Sequence, residues 1–318
     1  RHAGVSCCKP HDQRGMSAWQ PRAPRVRLGP VSISDLGLYG PDSVTWRVHA
    51  DPVMGAAGLR ALLLQALHPR AMAGVAAHSE FRSDPWGRLF RTAEYIGVTT
   101  YGTSEAAGRA AARVRGVHRR GSVLDPATGE TFRLDDPELL LWVHCAEVDS
   151  FLTTVRRAGL RLTDAEADRY VAEQVRGARL VGLDPAADGV PASVAQLDEY
   201  FEEARPSLRL TPAAIEAAHF LAVPPMPWRV RLTTPAVPAW LSLITLGLTL
   251  LPGWARQLYA MPLLPLVDAG ATVSVRALRT ALLAVPASLR DGPHVKDARA
   301  RVAAHPVRRL VAVPDRTA

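Results

Sequence analysis

The sequence predicts an all-α protein, because helix signals dominate the chain and strand signals are confined to one short stretch. Apolar residues recur with the 3.6-residue period of helices that pack on one side. On this basis we expect helices near residues 55–67, 70–79, 85–98, 104–116, 137–158, 164–181, 194–204, 212–221, 238–250, 253–260, 266–284 and 294–304.

Helix boundaries are marked by capping residues, prolines and glycines. Four helix starts carry such signals: the capping-box pairs Thr163–Glu166 and Ser193–Gln196, and the cap-proline pairs Asp136-Pro137 and Thr211-Pro212. Gly159 and Gly182 follow periodic stretches, where a glycine commonly ends a helix in the left-handed conformation.

One stretch, residues 121–134, has the pattern of a β-hairpin. Short strand-like pieces, Ser122-Val-Leu and Thr131-Phe-Arg-Leu, flank the turn-forming sequence Asp125-Pro-Ala-Thr-Gly-Glu130. The expected fold is therefore a helical core with extra helices and one short β-hairpin.

The composition fits a large folded chain: 318 residues, of which 48% are hydrophobic. That is enough chain for one big domain or two modest ones, and neither an internal repeat nor a long linker divides it. We expect a disordered leader over residues 1–35, a helical domain over residues 36–290, and a basic C-terminal helix and tail over residues 291–318.

The net charge of +8 is concentrated at the two ends of the chain. Residues 1–30 carry six basic and one acidic side chain, and residues 276–318 carry nine and three. Basic termini can contact nucleic acid or anionic lipid, but no continuous basic block, helix-turn-helix signature or aromatic RNA motif accompanies them. We therefore expect no nucleic-acid partner.

Cysteine usage and the N-terminal composition favour a cytoplasmic protein. Cys7, Cys8 and Cys145 are too few and too irregularly spaced for a disulfide framework or a zinc site. The first thirty residues lack the apolar core of a secretory signal. The uncharged segment 236–251 is shorter than the roughly 20 residues of a membrane span. It predicts a buried core helix, with peripheral docking of this segment and of Trp240, Trp254 and Tyr259 on a membrane as the alternative.

His144 lies in the middle of an apolar helix, which makes it the most informative residue of the chain. On a helical period it shares a face with Leu141, Val148 and Phe151, so an imidazole occupies a position typical of a core side chain. A buried imidazole needs a hydrogen-bond partner or a metal, because its nitrogens are otherwise unsatisfied. Spacing alone leaves both alternatives open.

The predicted helix at residues 85–98 has a polar strip beside an apolar one. Arg88, Arg91 or Thr92, and Tyr95 fall on one side of it. Such a strip is typical of a solvated helix face, and it would also serve as the cationic, hydroxyl-bearing wall of a pocket.

Two further histidines stand near predicted helix ends. His68 precedes Pro69, and His78 precedes Ser79. An imidazole at a helix end commonly bonds a free carbonyl, so capping is the expected role of both residues. Lining a cofactor site is the alternative for each.

Four motifs occur in order: Leu64-Gln-Ala-Leu-His-Pro69, His78-Ser79, Arg88-Leu-Phe-Arg-Thr92 and Asp135-Asp-Pro-Glu-Leu-Leu-Leu-Trp-Val-His144. Each is weak alone, but together they resemble the MpaB-type oxygenase family, which includes the latex-clearing rubber oxygenases. The resemblance spans roughly residues 40–285.

The resemblance implies a globin-like helical core that holds a non-covalent b-type haem, with His144 as the proximal ligand of the iron. It places Arg88 and Thr92 in a distal trio, in which Arg91 replaces the family's lysine. A guanidinium stays protonated and ligates poorly, so the resemblance implies an open or water-filled distal position here. The absence of a Cys-x-x-Cys-His motif agrees with a haem that is not covalently attached.

In the implied reaction, dioxygen is activated opposite His144, while Arg88 and Thr92 orient it and stabilise developing negative charge. The expected substrate is small, apolar and unsaturated, and oxidative cleavage of its carbon–carbon double bond is the family's best-defined reaction. Neither the substrate's identity nor the oligomeric state follows from the sequence.

Two other functions compete with this reading. Glu216-Ala-Ala-His219 has the spacing of a di-iron carboxylate motif, but it occurs once where two copies are expected. The chain could also be a non-catalytic haem-binding or interaction protein that uses its apolar C-terminal helices and basic termini on a membrane or partner, because fold alone does not establish catalysis.

Overall fold

The computed structural model describes residues 35–78, 82–125, 127–261 and 264–304. These residues form 15 α-helices and one two-stranded antiparallel sheet, and 71% of them are helical. The mostly helical fold with a single hairpin is thus confirmed. The expected leader, with Cys7 and Cys8, and the C-terminal tail beyond residue 304 lie outside the described residues.

The helices are α1 (Val44–His49), α2 (Met54–Gln65), α3 (Pro69–His78), α4 (Pro85–Tyr101), α5 (Ser104–Arg120), α6 (Pro137–Arg157), α7 (Asp164–Val181), α8 (Val194–Ala204), α9 (Pro212–Ala222), α10 (Trp228–Thr233), α11 (Ala236–Thr249), α12 (Gly253–Leu258), α13 (Pro265–Ala284), α14 (Ala287–Arg290) and α15 (Pro293–Ala304). A single 3₁₀ turn, Arg205–Ser207, follows α8. The sequence prediction missed α1, α10 and α14, which have six, six and four residues and are too short for a periodic pattern.

The predicted helix starts are formed by the expected side chains. Thr163 accepts from the backbone of Glu166, and the Glu166 carboxylate accepts from the backbone of Thr163, which completes a capping box. Ser193 caps α8, but the Gln196 side chain accepts from Ala192 instead of Ser193, so only half of that predicted box forms.

The other predicted boundaries are also confirmed. Asp136 and Thr211 cap the helices that begin at the following prolines. Gly159 and Gly182 have φ angles of 95° and 111°. This left-handed conformation strains any residue with a Cβ, so a glycine there ends the helix at little cost.

The hairpin consists of β1 (Ser122–Leu124) and β2 (Thr131–Arg133), paired with Val123 opposite Phe132. Val123 and Phe132 are buried while their neighbours are exposed, so each strand presents one face to the protein. The hairpin contacts α3 and α5 and connects α5 to α6.

Helix α6 is the centre of the core. It packs against α1, α2, α3, α7 and α13, and eleven of its 21 residues are buried. Trp142 is fully buried, and its indole nitrogen donates to the carbonyl of Gln65 at the end of α2 at 3.0 Å. Cys145 is buried in the same core.

A buried arginine joins α6 to α2 and α11. The guanidinium of Arg60 on α2 forms an ion pair with Asp149 at 2.8 Å and donates to Ser150 and to the carbonyl of Leu250 at 2.6 and 2.9 Å. Only 2% of Arg60 is exposed. A buried cation is tolerated only when its donors are satisfied, so these contacts fix how α6 is rotated against α2.

Helix α1 depends on a carboxylate from a distant part of the chain. Glu173 of α7 accepts hydrogen bonds from the backbone nitrogens of Val44 and Thr45, at 3.3 and 2.8 Å. These are unsatisfied donors of the first helical turn, next to the positive end of the helix dipole.

The apolar segment 236–251 is a core helix over only part of its length. Ile244, Leu246 and Leu250 are buried, whereas Leu241, near the start of α11, is exposed. The prediction of a buried helix is therefore correct for the C-terminal half and wrong for the N-terminal half. Within the described ranges, no helix is long and apolar enough to cross a membrane.

The aromatic residues that we considered for membrane docking point inward. Trp240 donates to the carbonyl of Leu221 at 2.8 Å, and Tyr259 donates to the carbonyl of Leu63 at 2.7 Å. Trp254 packs against the main core cluster. None of these three rings is among the exposed large apolar residues of the described chain.

The C-terminal helix α15 packs against α4. His294 contacts Glu94 at 2.7 Å, and Arg301 donates to the carbonyl of Tyr101. A Cβ at Gly97 would clash with the ring of His294, so the two helices meet closely at this glycine.

Replacing Asp149 with alanine should lower the free energy of unfolding by about 3 kcal/mol, because Arg60 would remain buried without its counter-ion. The matched control is Glu105→Ala, which removes the exposed ion pair with Arg109 and should change stability by at most about 0.5 kcal/mol. Urea unfolding of both variants measures the difference. Equal effects would show that the buried pair does not constrain the core.

Candidate functional site

His144 is a half-buried residue on α6 whose imidazole has no hydrogen-bond partner among the described residues. Val148 and Phe151, which share its predicted face, are buried, while Leu141 is also half-buried. Burial lowers the pKa of His144 to about 4. The ring is therefore neutral at pH 7, and one of its nitrogens carries a free lone pair.

A second histidine shows what a satisfied core imidazole looks like in this fold. In His49, Nδ1 lies 2.8 Å from the hydroxyl of Thr100, and Nε2 lies 3.1 Å from the hydroxyl of Tyr170. Burial lowers its pKa to about 3. Both nitrogens of His49 are thus used within the protein, whereas those of His144 are not bonded within the described chain.

Helix α7 and the segment before α1 form the surroundings of His144. A Cβ placed at Gly177 of α7 would lie 3.9 Å from Cε1 of His144 and 3.2 Å from the hydroxyl of Tyr39. A side chain at Gly177 would contact the imidazole and crowd the hydroxyl of Tyr39, so α7 lies close to His144 at this glycine.

Glu147 lies one helical turn after His144 and adds a protonatable group. It is half-buried, and no hydrogen bond or ion pair of its carboxyl group occurs among the described residues. Burial raises its pKa to about 7. Its charge in turn helps to raise the pKa of Tyr39 and Tyr170, which burial already raises. These four side chains therefore share one poorly hydrated region.

The polar strip of α4 reaches this region through Tyr95. Burial, with the nearby Glu147 charge, raises the pKa of Tyr95 to about 12. Arg88 lies two turns earlier on the same side of α4, is half-buried, and has its pKa lowered by burial and by the neighbouring Arg91. Arg88 and Tyr95 are thus the least exposed positions of the predicted strip, and Tyr95 lies near Glu147 of α6.

Arg91 and Thr92 are the exposed members of the strip. Arg91 forms an ion pair with Asp84, the N-cap of α4, at 3.0 Å. The hydroxyl of Thr92 donates to the carbonyl of Arg88 at 3.1 Å. The solvated-face reading therefore describes Arg91 and Thr92, while Arg88 and Tyr95 fit the reading of a pocket wall.

His68 bonds a backbone nitrogen at the start of α3 and not the carbonyl that we expected, whereas His78 bonds a backbone carbonyl 44 positions away and does not cap its own helix. His68 is buried, its Nδ1 accepts from the backbone nitrogen of Ala71, and its Nε2 lies 3.7 Å from Glu138. His78 is exposed, and its Nε2 lies 3.0 Å from the carbonyl of Ser122. Their roles at a cofactor site remain predictions.

The sequence reasoning missed two contributors to the region around His144, Tyr39 and Tyr170. A signal for Tyr170 was available, since Tyr170, Gln174 and Gly177 follow each other at helical spacing on α7. Tyr39 lies outside any helix and carried no pattern. Asp149, on the same helix as His144, is engaged by Arg60.

The isolated Glu216-x-x-His219 motif does not sit in a metal cluster. Both carboxylate oxygens of Glu216 accept from Arg82, at 2.6 Å each. In the part of the chain that the structure describes, no group of three or more histidine, cysteine or acidic side chains is arranged to hold a metal ion.

The fold and this region define a helical protein with a neutral, unbonded imidazole beside a protonatable carboxyl group and three tyrosines. Comparison with protein families identifies the family to which the chain belongs. Residues 46–284 match the model described as "ER-bound oxygenase mpaB/B'/Rubber oxygenase, catalytic domain", and the chain belongs to this family. The family is one of oxygenases, which makes the chain an oxidoreductase by family. Neither the curated proteins nor the solved structures give a match.

Replacing Glu147 with glutamine should remove a pH-dependent loss of stability. The folded pKa of about 7 exceeds the ordinary value of 4.5, so the folded state binds more protons between these values. The free energy of unfolding contributed by Glu147 therefore falls as pH rises from about 4.5 to about 7. At pH 8 the variant should be more stable than the wild type by up to about 3 kcal/mol, and near pH 4 the two should be equal.

The measurement is urea unfolding of both cofactor-free proteins across this range. The difference between the two proteins isolates Glu147, because their other titrating groups are the same. In each protein, His49 and His144 have lowered pKa values and so act in the opposite direction: their contribution to the free energy of unfolding falls as pH falls below about 6.5. A difference that does not change with pH would mean that the carboxyl group is hydrated.

Proposed function

We propose that this chain binds a b-type haem through His144 and uses it with dioxygen to oxidise a small apolar, unsaturated molecule. The observation that carries the proposal is the imidazole of His144, which is neutral, half-buried and without a hydrogen bond in the described chain, within a member of an oxygenase family. The proposal includes a globin-like arrangement of helices around the haem.

The residues around His144 fit such a group. A haem ligand must present a lone pair, which a neutral imidazole does and an imidazolium does not. The macrocycle needs an apolar wall, and Leu141 and Ile96 are half-buried apolar side chains on α6 and α4. Gly177 lets α7 lie close to the ring of His144 and to the Tyr39 hydroxyl, which would help to hold the ring in place. When bound, haem iron would supply the redox chemistry that no side chain provides.

The protein's own side chains would then stabilise charge and hold protons during the reaction. Arg88 stays cationic because a guanidinium does not lose its proton in proteins, and its partial burial strengthens its field in the pocket. It would stabilise negative charge that develops on the reacting oxygen atoms. Glu147, with a pKa of about 7, can hold or release a proton at its carboxyl oxygen, and Tyr95 can donate a hydrogen bond from its hydroxyl.

Arg91 is the position that departs from the family pattern. Its side chain is exposed and paired with Asp84 at the start of α4. This contact favours a role at the surface, so we do not propose any residue of α4 as a ligand of the haem iron. Thr92 would act through its hydroxyl only if it exchanges the bond to the Arg88 carbonyl for one to the substrate side.

The substrate class follows from the family and the surrounding chemistry. The family description names rubber oxygenases. We extend to this chain the oxidative cleavage, or a related oxidation, of an apolar molecule with a carbon–carbon double bond. The apolar side chains of α4 and α6 would bind such a molecule by excluding water.

The first test is the visible spectrum of the protein expressed with iron and a haem precursor. The wild type should show a Soret band, and His144→Ala should lose it or shift it strongly, because the ligand of the iron is gone. His219→Ala is the matched control, because this exposed histidine lies on α9 and is not a predicted residue of the haem site, and its spectrum should be unchanged. A wild-type protein that stays colourless after haem addition would contradict the proposal.

Arg88→Gln and Arg91→Gln should separate the two arginines of α4. Removing the half-buried charge should slow dioxygen consumption with an alkene by about 100-fold, the scale for losing one electrostatic stabiliser of a transition state. Removing the exposed, Asp84-paired charge should change the rate by less than about threefold. Equal losses would remove Arg88 from the reacting centre. A Soret band without dioxygen consumption in the wild type would indicate a non-catalytic haem-binding protein.

A further inference from the structure

Helix α10 and its neighbours form an apolar surface that the proposed reaction does not use. We call it the α10 surface and define it by five exposed residues: Phe90, Val223, Trp228, Leu232 and Leu241. Phe90, Trp228 and Leu232 are 68%, 66% and 78% exposed. Isolated exposed apolar residues are common, but a continuous cluster of large ones marks an interaction site.

The contacts of Trp86 link the elements that carry the α10 surface. Trp86 of α4 stacks on Phe90, with ring centroids 6.3 Å apart, and meets Trp240 of α11 edge-on at 4.8 Å. Its indole nitrogen donates to the carbonyl of Pro225 at 2.7 Å. Trp86 therefore links α4, which carries Phe90, to α11, which carries Leu241, and to the segment before α10.

The charge of this surface is positive and uncompensated by its own segment. No acidic residue occurs between Glu216 and Asp268, whereas Arg229 and Arg231 are exposed on α10. The guanidinium of Arg229 lies 5.5 Å from the ring centre of Trp228. Apolar side chains interleaved with arginines suit a membrane interface, where the rings enter the headgroup region and the guanidinium groups meet lipid phosphates.

The acidic side chains on neighbouring helices are engaged elsewhere. Asp84 pairs with Arg91, and Glu216 pairs with Arg82. Glu94 contacts His294 of α15 at 2.7 Å. None of these carboxylates is left over to neutralise Arg229 and Arg231.

We infer that the α10 surface docks on an anionic lipid bilayer, with Trp228 and Leu232 entering the interface and Arg229 and Arg231 binding lipid phosphates. A second copy of the chain fits less well, because face-to-face pairing would bring four arginines together. The chain's own N-terminal thirty residues, with six basic and one acidic side chain, are repelled by the same charge. The inference does not depend on haem or on turnover.

The experiment is co-sedimentation of the full chain with vesicles of phosphatidylcholine, alone or with added phosphatidylglycerol. The wild type should bind the anionic vesicles, and binding should weaken as salt is added. Trp228→Ser combined with Leu232→Ser should lower the partition constant by about tenfold or more. Arg229→Gln combined with Arg231→Gln should lower it by about 30-fold on anionic vesicles and leave neutral vesicles unaffected.

Val117→Ser combined with Leu124→Ser is the matched control, because these residues are similarly exposed but lie on α5 and β1. This pair should bind as the wild type does. All substituted side chains are exposed, so circular dichroism should show unchanged folding. Wild-type binding by the Trp228 and Leu232 variant would overturn the inference and assign lipid binding to the basic termini. A stable dimer that the same variant dissociates would overturn it in favour of self-association.

Discussion

The structure depends on the buried guanidinium of Arg60. Its contacts with Asp149, Ser150 and the Leu250 carbonyl determine which side of α6 faces α2 and α11. Successive residues of a helix are about 100° apart, so fixing Asp149 turns His144 about 140° away and Glu147 about 160° away. The ion pair that stabilises the core therefore also directs both side chains towards α7 and α4, without touching either of them.

The region around His144 is governed by desolvation more than by specific charge pairs. Burial is the only cause of the lowered pKa of His144 and of the raised pKa of Glu147. Both groups are thereby biased towards their neutral forms. His49 shows that the same fold can satisfy an imidazole completely with two hydroxyl groups. The free nitrogens of His144 are thus a local property of its position and do not reflect a general shortage of partners.

Local signals predicted most of the long helices and the hairpin, because caps, prolines, glycines and periodicity act within a few residues of each other. Helix α1 escaped prediction because six residues are too few for a periodic pattern, although Ser43 caps it locally. Its further hydrogen bonds to Glu173, about 130 positions later in the chain, do not show in the local sequence. The buried assignment of α11 failed in its first half for a related reason. The sequence shows that Leu241 is apolar, but it does not show whether another helix covers it.

The sequence predicted individual residues of the candidate site, such as His144, but not which side chains surround them. His144 stood out because it interrupts an apolar face, and the α4 strip stood out through helical spacing. Whether His144 had a hydrogen-bond partner depended on the packing of α7, as did its proximity to Tyr39. By sequence, Arg91 and Thr92 share a face with Arg88. In the structure, Arg91 pairs with Asp84 at the start of α4, and Thr92 bonds a backbone carbonyl of its own helix.

The acid-free segment between Glu216 and Asp268 has a consequence for how the protein responds to its environment. The charged side chains of this segment are all arginines, which keep their charge over the physiological pH range. Electrostatic adsorption of this face is therefore governed by ionic strength and by the composition of the lipid. The region around His144, in which burial raises the pKa of Glu147 to about 7, responds to acidity instead. Attachment and chemistry would be controlled by two independent variables in one chain.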